Sequence, residues 1–201
     1  LQSIAIAADQ IRGGSVEVIL SGGIEKMSYV PLGGNKISVN PWLVENYPGS
    51  YMSMGLTAER VAVHYAITRE AMDQFSYDSH RKALAAINAG SFRDEIVPIP
   101  VPGTRICSKG KLKSAETIFE QDEGPRADTS LVALAKLKPV FHAKGTVTAG
   151  NSSQTSDGAS AAVVMSASRA AALCIEPLAR FIAFAYAGCD PEEMGSGPIY
   201  A

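Results

Sequence analysis

With 201 residues, 46% of them hydrophobic and 19% charged, the chain has the composition of a globular protein that can bury a core in one or two domains. Its formal net charge of −2 at pH 7 gives no general attraction to nucleic acid or to an anionic membrane. Its apolar runs are all shorter than the ~20 residues that a transmembrane helix needs, so we expect neither nucleic acid nor a membrane as a partner.

Three cysteines, Cys107, Cys174 and Cys189, are an odd number and lack the spacing of metal ligands. We therefore expect neither a disulfide framework nor a metal site, and the cytoplasm is the default location. The chain begins with Leu1 rather than Met, and residues 197–201 lead towards an element that does not follow. These ends are typical of an internal piece of a longer protein.

The first 20 residues predict one helix and one strand. Apolar residues recur at helical spacing at Ile4, Ala5, Ala8 and Ile11. Gly13 and Gly14 supply a helix stop. Residues 16–20 are mostly apolar and predict a buried strand, which makes a helix–strand unit of an α/β fold.

The middle of the chain predicts two helices. Thr57 can cap one that runs to Tyr65, and the other extends from near Thr68 to Gly90, with Phe75 on its apolar stripe. His64 and His80 lie on these helices without a carboxylate or cysteine at ligand spacing. We interpret both as ordinary surface or half-buried histidines.

The later part predicts an edge strand at residues 92–101, because Pro98 and Pro100 interrupt it. Residues 104–124 are charged and irregular, which is typical of a loop. Further on, residues 161–165 predict a buried strand, residues 168–173 a short helix, and residues 178–187 a second long apolar strand.

Residues 145–158 form a polar stretch with three glycines, and they precede the apolar run at 161–165. Glycine lets the backbone come close to a ligand or to another segment. Hydroxyl and amide side chains can bond either a ligand or the local backbone. By composition alone, a binding loop and an ordinary turn before a strand explain this stretch about equally well.

The order of residues in 145–161 closely resembles the signature that opens the return from the loop domain in thiolases. Residues 21–28 resemble the family's Gly-Gly-x-Glu-x-Met-Ser box, and residues 54–59 its Met-Gly-x-Thr-Ala-Glu box. Residues 190–198 resemble the segment that opens the second thiolase half. The four boxes occur in the family's order and span essentially the whole chain.

The resemblance implies an α/β fold: a fragment of the layered αβαβα thiolase core with an inserted α+β loop domain. Residues 1–30 would be the second part of the N-terminal half, and residues 31–144 the loop domain. Residues 145–174 would return to the N-terminal half, and residues 175–201 would start the C-terminal half.

The resemblance also implies acyl transfer between 3-ketoacyl-CoA or acyl-CoA and CoA, by thiolytic cleavage or Claisen condensation. In thiolases the nucleophilic cysteine precedes the position of Leu1, and the Asn-Glu-Ala, Gly-His-Pro and Cys-x-Gly-x-Gly boxes follow the part that this chain matches. None of these boxes is in this sequence. We therefore expect no catalytic residue in the chain, a structural role for its three cysteines, and no activity of this piece by itself.

What remains by resemblance is CoA binding. Ser153 corresponds to the serine that bonds the pantetheine arm, and Ala149 lines the same channel. Met54 corresponds to a methionine that contacts the acyl or pantetheine region, Phe141 to an aromatic residue beside the CoA arm, and Arg126 to a basic residue near the nucleotide end. By residue type alone, Met54 and Phe141 would more often be core residues and Arg126 a surface charge.

CoA is expected as a substrate, with no cofactor and no metal, and the complete protein as a homodimer or homotetramer. The compartment would be the cytoplasm, or a peroxisome or mitochondrion in a eukaryote. Ser53 and Ala133 depart from the biosynthetic pattern. Ser53 and the sequence at residues 151–154 resemble those of degradative 3-ketoacyl-CoA thiolases of fatty acid β-oxidation. The alternative is a non-catalytic CoA- or lipid-binding thiolase-like protein. A ketoacyl synthase is disfavoured by the boxes at 54–59 and 145–158.

Overall fold

A computed structural model describes residues 1–106 and 112–201 of the chain. Two compact units are present: Leu1–Val61 together with Ser153–Ala201 form the first unit, and Ala62–Ser152 form the second. The predicted assignment of residues 31–144 to a loop domain, and of the flanking ranges to the two thiolase halves, stays a prediction.

The described elements are a mixture of helices and strands. In chain order they are α1 (Gln2–Arg12), β1 (Val18–Lys26), α2 (Pro41–Asn46), α3 (Met54–His64), α4 (Arg69–Asn88), β2 (Ile99–Ile106), β3 (Leu112–Phe119), α5 (Leu131–Ala135), β4 (Asp157–Met165), α6 (Ala167–Ala172) and α7 (Gly197–Tyr200). Two 3-10 helices, Pro48–Tyr51 and Pro191–Ser196, complete the set.

The first unit is built on the antiparallel pair β1 and β4, with register from Val18 opposite Met165 to Lys26 opposite Asp157. Helix α1 contacts both strands and buries Ala5, Ala7 and Ala8. The predicted helix and its glycine stop are confirmed. The strand runs on to Lys26, beyond the predicted end at residue 20.

The prediction that these strands are buried was wrong. Leu20 is 73% exposed and Val163 59% exposed. The sheet has two strands in the described ranges, and α1 is the helix that contacts both, so much of the apolar surface has no covering layer. An apolar run indicates that a strand is suited to burial. Whether the strand is buried depends on the elements that pack against it.

Residues 178–187, predicted as a strand, belong to none of the described strands. A strand needs a hydrogen-bonded partner, and the sheet of this unit pairs β1 with β4. The segment is instead fastened to α1 by Arg12, whose Nη2 donates to the carbonyl oxygens of Phe181 and Ile182 at 3.3 Å each. The same guanidinium lies 5.2 Å from the centre of the Phe181 ring.

Helix α3 begins three residues before the predicted cap, and its last residues belong to the second unit. Thr57 is not the N-cap: its Oγ1 donates to the carbonyl oxygen of Met54 at 2.8 Å, inside the first turn. Helix α4 is confirmed, with the Thr68 side chain accepting from the Ala71 N–H at its start. Its buried side carries Asp73, however, whereas Phe75 of the predicted stripe is 79% exposed.

The second unit contains a hairpin that the sequence did not predict. Strand β3 lies within the stretch predicted as a loop, and β2 pairs with it antiparallel, from Ile99 opposite Phe119 to Ile106 opposite Leu112. Residues 92–95 are a turn rather than the start of the strand. Cys107 lies outside the described residues. No helix within residues 1–106 or 112–201 has both the length and the apolar character that crossing a membrane requires.

Candidate functional site

The polar stretch of the second unit, residues 145–152, is an ordered loop. Thr148 has no exposed surface and Val147 is 5% exposed. The Val140 N–H donates to the Val147 carbonyl oxygen at 3.1 Å, and Pro139 and Thr148 form an isolated β-bridge. These contacts place residues 139–141 alongside residues 147–149.

Asn151 connects the two ends of this loop. Its Oδ1 accepts from the Thr148 N–H at 2.7 Å, and its Nδ2 donates to the Thr146 carbonyl oxygen at 3.1 Å. The Ser152 hydroxyl donates to the Thr148 carbonyl oxygen at 2.7 Å. Thr148 Oγ1 accepts from the Gly150 N–H at 3.2 Å. The side chains of Thr148, Asn151 and Ser152, which the sequence offered as possible ligand groups, therefore bond the loop's own backbone.

Asp73 joins the loop to helix α4. It is 5% exposed; its Oδ1 accepts from Asn151 Nδ2 at 3.1 Å, and its Oδ2 lies 2.8 Å from Arg69 Nε. Arg69 Nη2 also donates to the carbonyl oxygens of Leu134 and Leu137, at 2.6 and 3.1 Å. One buried carboxylate thus holds α4, the end of α5 and the loop together.

Sequence reasoning missed Arg69 and Asp73. The available signal was their spacing: opposite charges four residues apart on a predicted helix lie on one face, next to its apolar positions. Such pairs usually lie on the solvent-exposed face of a helix. This pair differs because Asp73 also accepts a hydrogen bond from Asn151, which lies 78 positions away in the sequence.

Gly150 has a packing requirement. A Cβ at this position would lie 2.5 Å from Leu134 Cδ2 and 2.5 Å from Leu137 Cδ1. Here the loop backbone passes directly over two leucine side chains. At Gly158, which lies in β4, a Cβ would meet nothing within 4 Å.

The predicted CoA-binding residues are divided between the two units. Ala149 is exposed at the turn between Thr148 and Gly150, and Phe141 is 43% exposed on the neighbouring segment. The bridge at Pro139 and Thr148 brings the segments that carry these two residues together. Arg126 belongs to the same unit, and its described hydrogen bonds are made elsewhere, to His80 and Asp128.

In the first unit, Met54 is the first residue of α3 and is 48% exposed, so it is not a core residue in this chain. Ser153 is exposed, and its hydroxyl donates to the Gln154 carbonyl oxygen at 3.2 Å. Phe141, at 43% exposed, is not a core residue either. The CoA-binding roles of all five residues stay predictions.

Arg126 is held in an ion pair with two contacts. Its Nε lies 3.1 Å from Asp128 Oδ1 and its Nη2 2.9 Å from Asp128 Oδ2. The hydrogen bonds and the charge attraction raise the pKa of Arg126 and lower the pKa of Asp128. The backbone N–H of Arg126 donates to His80 Nδ1 at 3.1 Å. His80 is half-buried, in accordance with its interpretation as an ordinary histidine.

Two of the sequence boxes meet in the first unit. The Ser28 N–H donates to Asp157 Oδ1 at 2.8 Å, and the Ser28 hydroxyl donates to Asp157 Oδ2. These bonds lower the pKa of Asp157, and the bond from the Ser28 hydroxyl contributes most. The contact closes the β1–β4 ladder at its Lys26–Asp157 end.

Of the cysteines that the structure describes, Cys174 and Cys189 are free and exposed. Within the described ranges, no group of three or more His, Cys, Asp or Glu side chains is arranged to hold a metal ion.

Comparison with known proteins gives one consistent family. The model of the thiolase N-terminal domain matches residues 1–168. The chain is 47% identical, over all of its length and 51% of the relative, to a 3-ketoacyl-CoA thiolase of Bacillus subtilis. It is 42% identical, over all of its length and 52% of the relative, to an acetyl-CoA acetyltransferase of Pseudomonas aeruginosa. The chain spans about half the length of the curated relatives it matches.

Solved structures agree. The dimeric peroxisomal thiolase of Saccharomyces cerevisiae superposes with a TM-score of 0.84 at 35% identity, over 100% of this chain and 49% of that one. Human mitochondrial 3-ketoacyl-CoA thiolase gives a TM-score of 0.80 at 36% identity, over 100% of this chain and 51% of that one.

Replacing Asp73 tests the network that holds the loop. Asp73→Ala removes the partner of the half-buried Arg69 and of Asn151, and we expect a loss of about 3–5 kcal/mol in the free energy of unfolding. Asp78→Ala is the matched control on the same helix, because its partner Arg81 is 66% exposed; we expect about 0–1 kcal/mol there. Urea denaturation of the complete protein measures both, and equal losses would contradict the assignment.

Gly150→Ala tests the close passage of the loop over Leu134 and Leu137. The added Cβ forces the two side chains to move, and we expect a loss of about 1–3 kcal/mol in the free energy of unfolding. Gly158→Ala is the control, since a Cβ there meets nothing within 4 Å. A Gly150→Ala variant as stable as the Gly158→Ala variant would show that the leucines do not constrain the loop.

Ser28→Ala tests the contact with Asp157. Because the folded-state pKa of Asp157 is lowered, the contact stabilises the fold above the unfolded-state pKa of about 3.9, and that stabilisation is lost as the pH falls through the lowered value. Removing the hydroxyl should move the pKa of Asp157 up towards its ordinary value. Carboxyl NMR titration measures the shift, and an unchanged pKa would refute the contact.

Proposed function

The chain belongs to the thiolase family, and from this membership we propose that the complete protein transfers acyl groups between 3-ketoacyl-CoA or acyl-CoA and CoA. The match of the thiolase N-terminal domain over residues 1–168 carries the proposal. It is supported by relatives named 3-ketoacyl-CoA thiolase and acetyl-CoA acetyltransferase. The resemblance found in the sequence and the predicted fold class are both confirmed by these matches.

The contribution proposed for this chain is to bind the CoA part of the substrate. The loop at 145–152 uses Thr148, Asn151 and Ser152 to fix its own backbone, so it need not become ordered when a ligand arrives. A preorganised loop of this kind costs little conformational entropy on binding. Ala149, exposed at its turn, has a small side chain beside which an extended pantetheine arm can pass.

Ser153 follows the loop, and we assign its hydroxyl to an amide group of the pantetheine arm. Its present acceptor is the Gln154 carbonyl oxygen, at 3.2 Å and in an exposed position. That bond can be exchanged for a ligand bond at small cost, because the freed carbonyl can bond water. Met54 and Phe141 would supply apolar contacts to the acyl or pantetheine region, and Arg126 a charge for the nucleotide end.

The covalent step is assigned to residues outside this chain. In the proposed cleavage a cysteine thiolate, activated by a histidine, attacks the 3-keto carbon, and the bond from that carbon to the α-carbon breaks. A second cysteine gives its proton to the α-carbon, which leaves as acetyl-CoA. That cysteine then takes the proton from the thiol of CoA, and the CoA thiolate accepts the acyl group and releases the first cysteine. The sequence contains none of the boxes that carry these groups, so the 201-residue chain by itself should be inactive. CoA takes part as a substrate, and we propose no cofactor.

We place the complete protein in the degradative direction, as a 3-ketoacyl-CoA thiolase of fatty acid β-oxidation. Ser53 and the sequence at residues 151–154 support this direction, as does the 47% identity to a 3-ketoacyl-CoA thiolase. A homodimer or homotetramer is proposed, supported by the description of the yeast thiolase as dimeric. The proposed compartment is the cytoplasm, or a peroxisome or mitochondrion if the source is a eukaryote.

The proposal is tested by thiolysis of acetoacetyl-CoA and of a medium-chain 3-ketoacyl-CoA. The complete protein should cleave both in a CoA-dependent manner, whereas the 201-residue chain should cleave neither. Acyl-CoA binding by the complete protein without cleavage would favour the alternative, a non-catalytic CoA- or lipid-binding protein. Cleavage by the isolated chain would contradict the assignment of catalysis to residues outside it.

Ser153→Ala tests the pantetheine contact. Loss of one hydrogen bond in the bound state should raise KM for CoA about three- to tenfold with kcat changed little. Ser160→Ala removes the same hydroxyl from an exposed position in β4 and should leave KM unchanged. An unchanged KM for CoA in Ser153→Ala would contradict the assignment of the Ser153 hydroxyl to the pantetheine arm.

A further inference from the structure

Arg126 already has an anionic partner in its own chain. Two of its guanidinium nitrogens, Nε and Nη2, face the two oxygens of Asp128 at 3.1 and 2.9 Å. Both side chains are open to solvent, 66% and 73% exposed. An arginine has five N–H donors, so three remain available on the guanidinium edge that Asp128 does not occupy.

The pair sits on a backbone that is fixed locally. The Arg126 N–H donates to His80 Nδ1, which lies on helix α4, and Ser130 caps α5 four residues later by accepting from the Ala133 N–H. Asp128 lies between these two anchored residues and does not serve as the cap. Its carboxylate is instead directed to Arg126, where it holds the guanidinium in one orientation.

The pair has no net charge, and this limits what it can bind. A phosphate that approaches the free guanidinium edge is attracted by Arg126 and repelled by Asp128, which lies on the opposite edge of the same group. Each charge of the phosphate feels both the attraction to Arg126 and the repulsion from Asp128. The carboxylate therefore cancels a large part of the attraction.

We propose that Asp128 is a specificity residue that weakens the binding of CoA phosphate groups to Arg126. This inference rests on the proposed function, in which Arg126 faces the nucleotide end of CoA. With Asp128 in place, the affinity for CoA comes mainly from the pantetheine arm. The phosphates then orient the ligand but add little to the affinity. Without the carboxylate, Arg126 becomes an uncompensated cation and a stronger phosphate site.

The test compares ligands with and without phosphates on the complete protein. Asp128→Asn keeps the shape of the side chain and removes its charge; the probes are CoA, 3′-dephospho-CoA and pantetheine. Asp78→Asn is the control, because Asp78 is the partner of the exposed Arg81 in the same unit and its replacement changes the net charge equally. Titration calorimetry at low and at moderate ionic strength gives the dissociation constants.

In Asp128→Asn we expect CoA to bind about three- to tenfold more tightly at low ionic strength, with a steeper loss as salt is added. Pantetheine binding should not change, and Asp78→Asn should match the unmodified protein. Adding Arg126→Gln to Asp128→Asn should abolish the gain, because the phosphate then has no cation to meet. A gain that shrinks with 3′-dephospho-CoA assigns the effect to the 3′-phosphate, and an undiminished gain assigns it to the pyrophosphate.

Unchanged or weaker CoA binding in Asp128→Asn would overturn the inference, as would an equal change for pantetheine. Asp128→Ser gives the same charge change with a smaller side chain. An equal gain in both variants shows that the lost charge, and not a contact of the introduced amide, causes the tighter binding. Failure of the proposed function has a different signature. In that case the unmodified complete protein would bind neither CoA nor pantetheine.

Discussion

The buried carboxylate of Asp73 is the contact on which the ordered loop of the second unit depends. Among the described residues it is the charged side chain that lies buried, at 5% exposed, and it meets Arg69 and Asn151. A carboxylate in such a position is favourable only while its partners remain in place. The network therefore favours this arrangement of the loop, because moving Asn151 away would leave Oδ1 of the buried carboxylate without its hydrogen bond.

This constraint separates two kinds of polar side chain that look alike in the sequence. Thr148, Asn151 and Ser152 bond the loop backbone, whereas the hydroxyl of Ser153 is exposed and has a replaceable acceptor. The first kind makes the loop rigid, and the second is free to meet a ligand. Gly150 belongs with the first kind, since its missing Cβ lets the backbone lie against Leu134 and Leu137.

Local signals predicted the helices well and the sheets poorly. Helices α1 and α4 followed from apolar spacing, from the Thr68 cap and from glycine stops, which act within a few residues. The predictions that β1 is buried and that residues 178–187 form a strand were wrong. Burial and strand pairing both depend on partners elsewhere in the fold. The family boxes located the candidate site without revealing Asp73, because its contact with Asn151 joins positions 78 residues apart.

The central claim is that residues 145–152 are ordered before the substrate arrives and that Ala149 and Ser153 then meet the CoA arm. Amide hydrogen exchange of the complete protein, with and without CoA, measures this directly. The account predicts that the Thr148 and Asn151 amides are protected in both conditions and that protection at residues 149–154 rises when CoA binds. A loop that is unprotected until CoA is added, or exchange at 149–154 that CoA does not alter, would contradict it.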